Sequence, residues 1–130
     1  MGHSFAKITL SNPRHPELPP VEVEALADTG ATFLCLPAEI AEALRLEPVA
    51  DRKEAVFVDG HRQWVSYVGP VEARFKGRVA FGGALVTGDQ VLLGVIPMED
   101  MDLVVMPATR QIVPNPLNPN IAASIAKGLR

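Results

Sequence analysis

The sequence predicts a mostly β fold with one or two short helices. Three observations carry this. Phe5 to Leu10 alternates with period two, with Phe5 and Lys7 on one face and Ala6, Ile8 and Leu10 on the other. Asp59-Gly60 is a hairpin signal, because both residues tolerate positive φ. Prolines at 13, 16, 19 and 20 exclude helix and central strand from residues 11–20. At 130 residues the chain fits one domain with enough material for a real core, spanning about 5–113. A Pro/Asn-rich tail, 114–130, follows.

Taken in order, Phe5 to Leu10 is a strand, and residues 11–20 connect it to an antiparallel partner, Val21 to Ala27. The partner alternates at first and turns fully apolar toward Asp28, as a strand does when it runs from surface to interior. Pro37 starts a helix that Ala38 to Leu46 continues, with Ile40 and Leu44 turned inward, and Pro48 ends it. Strand character returns at Arg52. Ala55 to Val58, the Asp59-Gly60 turn and Gln63 to Val68 form a hairpin, with Trp64 expected to cover the core.

Pro70 to Phe75 and Val79 to Thr87 form another hairpin around Lys76-Gly77, with Gly82-Gly83 as a bulge. Residues 88–90 turn the chain into an apolar element, Val91 to Ile96. One helical turn over Pro97 to Asp102 precedes a final core strand, Leu103 to Met106. Residues 113–120 read as irregular, and Ile121 to Leu129 as a short terminal helix.

Composition narrows the function. Hydrophobic content of 48% with 21% charged residues is ordinary for a globular chain. A net charge of −3 and the lack of any Lys/Arg cluster exclude a nucleic-acid footprint, so no DNA or RNA partner is expected. The single cysteine, Cys35, has no partner for an internal disulfide and reads as a packing residue. No stretch approaches the length of a membrane span, and Met1 to Ala6 lacks the pattern of a secretory signal, so a cytoplasmic protein is expected. His3, His15 and His61 are scattered and no Gly-rich phosphate loop follows a strand, so neither metal nor cofactor is expected.

Asp28-Thr29-Gly30 is the motif with chemical content. It ends the apolar-leaning run from Val21 to Ala27 and precedes Ala31-Thr32-Phe33-Leu34-Cys35-Leu36. An acidic residue on a half-buried, strand-like stretch costs free energy unless it is compensated. Thr29 offers a hydroxyl and Gly30 admits a close backbone approach. The tripeptide alone also reads as a plain turn.

Its order with the 55–68 hairpin and with Leu92-Leu93-Gly94 before a short helix resembles the retropepsin-like aspartic protease family. The likeness is to a single-domain, bacterial-type clan AA peptidase and covers roughly Val21 to Met106.

The resemblance implies an acid-protease β-barrel in which Asp28 is the catalytic carboxylate and Thr29, Gly30, Ala31 and Thr32 complete the active-site loop. It makes Val58, Asp59, Gly60 and His61 part of a flap that binds substrate, and puts Leu93 and Gly94 behind the loop. Hydrolysis by aspartate needs two carboxylates facing one water and sharing one proton. One motif per chain therefore implies a homodimer, whose two-fold axis pairs each Asp28 with its mate. A peptide or protein is the implied substrate.

Three features differ from relatives. Val95-Ile96 follows Gly94 where many carry a polar residue. The hairpin tip has one glycine where retroviral flaps have several. The tail is unlike the terminal strand that joins retroviral dimers. A non-catalytic dimeric peptide- or protein-binding module on the same fold is the alternative.

Overall fold

Alternating side chains set the first wall of the molecule. In the computed structural model, which describes residues 3–49 and 52–126, β1 (Phe5–Ser11) buries Ala6, Ile8 and Leu10. It pairs antiparallel with β2 (Val21–Ala27). Next come β3 (Leu34–Leu36), α1 (Ala38–Ala43), β4 (Glu47–Pro48) and β5 (Lys53–Val56). The long β6 (Arg62–Phe75) and β7 (Arg78–Val86) follow, then β8 (Val91–Leu93), α2 (Val95–Asp100), β9 (Leu103–Met106) and β10 (Gln111–Pro114).

The strands close on themselves. β6 pairs β7, β7 pairs β3, β3 pairs β8, β8 pairs β2, β2 pairs β1, and β1 returns to β6. This barrel is mostly β with two short helices, the retropepsin-like architecture expected from the sequence. Ile8, Leu10, Leu36, Leu44, Val71 and Leu93 are fully buried inside it. Such packing makes apolar burial the main stabilising contribution. Among the described residues β5 pairs only with β6 and projects from the barrel as a hairpin, while β9 and β10 form a second hairpin beside β1.

Several local expectations are corrected. The helix at 38–46 stops at Ala43, because Arg45 enters the left-handed region at φ 51°. The Arg45 and Leu46 amides then donate back to the Glu42 and Ala41 carbonyls, a Schellman closure. Gln63 to Val68 and Pro70 to Phe75 are one strand of 14 residues, not two. The bulge lies in β6, where Gly69 and Pro70, joined by a cis peptide bond, sit opposite Gly83 of β7.

The Asp59-Gly60 turn is a wider loop than a two-residue connection. The Phe57 amide donates to the His61 carbonyl, and Gly60 takes φ 90° in the bulge position. The second helix starts at Val95 rather than Pro97. Leu103–Met106 is not the last strand, since Gln111–Pro114 pairs with it. Residues 121–126 are not helical, and the rest of the expected terminal helix lies outside the described residues. Trp64 is 59% exposed and so does not cover the core; its ring lies 5.8 Å from the Arg52 guanidinium.

Candidate active site

Asp28 takes its position from the parallel ladder between β2 and β8. That ladder pairs Ala27 with Leu93, and the Asp28 amide extends it by donating to the Leu93 carbonyl at 2.9 Å. The chain then turns. The Gly30 amide donates to Asp28 Oδ1 at 2.9 Å and the Ala31 amide to the Asp28 carbonyl at 3.0 Å. The carboxylate, half-buried, is thereby anchored by its own loop. Thr29 and Gly30 are exposed.

The loop is supported from behind by the start of α2. The first amides of a helix lack partners within it. Here Val95 donates to the Ala31 carbonyl and Ile96 to the Thr32 carbonyl, each at 2.9 Å. These bonds tie two β-branched residues, Val95 and Ile96, in the first turn of α2 to the loop. Gly94 makes the contact possible. A Cβ there would stand 2.5 Å from the Phe33 carbonyl oxygen and 2.7 Å from that of Ala31.

A cleft of about 500 Å³ lies between this loop and the β5 hairpin. Of the residues singled out in the sequence, Asp28, Gly30, Ala31, Thr32 and Val58 line it. Asp59, Gly60 and His61 lie at the exposed hairpin tip and do not. At the tip the Asp59 carboxylate accepts the His61 backbone amide at 3.0 Å and also meets the His61 ring, which stacks on Phe57 at 4.5 Å. The backbone amide first, then the ring, hold the Asp59 carboxyl below its usual range. Leu93 is fully buried, while Leu92 next to it faces the cleft.

Sequence reasoning did not find Phe33, Lys53, Ala55, Phe57 or Leu92 as lining residues. Every residue from Lys53 to Val58 lines the cleft, so strand alternation does not single out its lining, and only the fold brings that segment against the Asp28 loop. Cys35 also lines the cleft, and burial first, then the negative charge of Asp28, pushes its thiol pKa up. Among the described residues, no group of three or more His, Cys, Asp or Glu could hold a metal ion.

This barrel, with a carboxylate loop facing a hairpin-covered cleft, has the retropepsin-like fold. Among solved structures, the chain is similar to the EIAV protease complexed with the inhibitor HBY-793, at a TM-score of 0.62 and 18% identity. The match covers 81% of this chain and 93% of that one. No protein-family model and no curated protein matches the sequence. No helix among the described residues is long and apolar enough to cross a membrane.

Proposed function

We propose that this chain is an aspartic endopeptidase that works as a homodimer, with the Asp28 residues of two copies facing one water. The observation that carries the reading is the placement of Asp28 on an anchored loop that lines a cleft beside a projecting hairpin. One carboxylate takes a proton from the water as its oxygen attacks the scissile carbonyl carbon. The other, protonated, donates to the carbonyl oxygen. The tetrahedral species then collapses, the C–N bond breaks, and a proton goes to the leaving amine. No covalent intermediate forms. The substrate lies extended and adds its backbone to the flanking strands. The hairpin closes over it and excludes water.

Incubation with a diverse peptide library from acidic to neutral pH, beside Asp28→Asn, tests this. Cleavage by the parent should fall at least about a hundredfold in the variant, the scale of losing an acid–base group. Equal cleavage by both proteins would remove Asp28 from the mechanism. Peptide binding with no cleavage by either would favour a non-catalytic binding module.

A further inference from the structure

We infer that Lys53 is a specificity-determining residue that selects peptides carrying a carboxylate side chain. The inference rests on the cleft being the peptide-binding site. In β5, Lys53 and Ala55 are half-buried while Glu54 and Val56 are exposed, and Lys53 lies among the cleft-lining residues. Its ammonium stands 4.8 Å from the centroid of the Tyr67 ring and 5.3 Å from that of Phe33. The two rings pack against each other at 5.4 Å. Tyr67 is in turn backed by Gly83, where a Cβ would come within 2.5 Å of the ring.

This aromatic platform attracts the cation through ring quadrupoles and accepts few of its hydrogen bonds. An ammonium has three donors and no acceptor. The other charged side chains lining the cleft are Asp28 and Glu54. Glu54 already accepts from Arg62 at 2.8 Å. Among the described residues, no carboxylate lies within 4.0 Å of the Lys53 ammonium. A positioned cation whose donors are taken up by none of the described residues, beside an extended peptide, matches a Glu or Asp side chain, which would supply a charge-assisted bond. A Lys or Arg side chain at the same subsite would be repelled.

Sets of fluorescent peptides that carry Glu, Gln or Lys at one scanned position test the inference. Cleavage is measured with Lys53 intact, Lys53→Met and Lys53→Glu, and binding is measured by anisotropy in the Asp28→Asn background. At one position, Glu should be preferred over Gln by about tenfold, the scale of a partly buried charged hydrogen bond. The preference should vanish in Lys53→Met and invert toward Lys in Lys53→Glu.

A purely structural lysine would weaken all three peptides alike, and that result, or an unchanged ratio, overturns the inference. So does failure of every peptide to bind. Lys53-dependent selectivity in binding with no cleavage would sink the peptidase reading and leave the inference standing. Asp28-dependent cleavage with no Lys53-dependent selectivity would do the reverse.

Discussion

Gly94 has no space for a side chain, because the carbonyls of Ala31 and Phe33 occupy it. Those atoms belong to the backbone of the Asp28 loop and its continuation, so relief would have to move the site itself. Gly94→Ala should therefore cost about 1–3 kcal/mol, as overpacking does, read as a lower denaturant midpoint. Gly82→Ala is the matched control, since among the described residues nothing lies within 4 Å of a Cβ there, and it should change the midpoint far less. At this scale the sequence was informative about type and silent about cause. Asp28 and Gly94 stood out by motif. The Val95 and Ile96 amides that tie the two segments together came only with the fold. Lys53 was likewise invisible, because its aromatic partners lie 14 and 20 positions away.

Elements whose pattern is local were legible, and those made by distant partners were not. β1 and β2 were read from alternation, and their register follows it. β10 was missed because Val113-Pro114 opens a proline-rich run; it is a strand by virtue of pairing with β9 and β1. The tail beyond it is held by polar contacts that composition does not reveal. Asp102 accepts from the Ala123 amide at 3.0 Å, from Asn115 at 3.1 Å and from Asn118 at 2.7 Å. Buried Arg78 donates to the Met101, Asp102 and Asn118 carbonyls.

The Ala123 amide first, then the Asn115 side chain, hold the Asp102 carboxyl below its ordinary value. A depressed carboxyl contributes stability above its unfolded value and loses it as pH falls through the folded one. Hydrogen exchange at residues 115–123 should be protected at neutral pH and lose protection below about pH 4, near the reference carboxylate value. Asp102→Asn should reduce that protection at neutral pH with the barrel intact. Unchanged exchange in the variant would show that the tail is held by other contacts.

For the molecule as a whole, the barrel expected from resemblance is present, and the proposed two-copy site ties activity to protein concentration. If two copies share one site, activity per chain should fall on dilution as dimers dissociate. Mixing the parent with Asp28→Asn should reduce activity as the square of the parent fraction, because mixed dimers lack one carboxylate. A linear dependence would mean that one chain suffices.

The 14-residue β6 serves two structures, since its first residues pair with β5 in the hairpin and its last with β7 and β1 in the barrel. A one-residue slip of that strand would turn Val71, Ala73 and Phe75 from the core to solvent. The hairpin's alignment over the cleft is thus inherited from the barrel core. The two ends should nonetheless open at different free-energy levels. Amides of Arg62 to Val65 should exchange through local fraying, and those of Val71 to Phe75 only when the whole chain unfolds. One continuous strand would then carry a gradient of opening, which lets the cover over the cleft breathe without loosening its foundation.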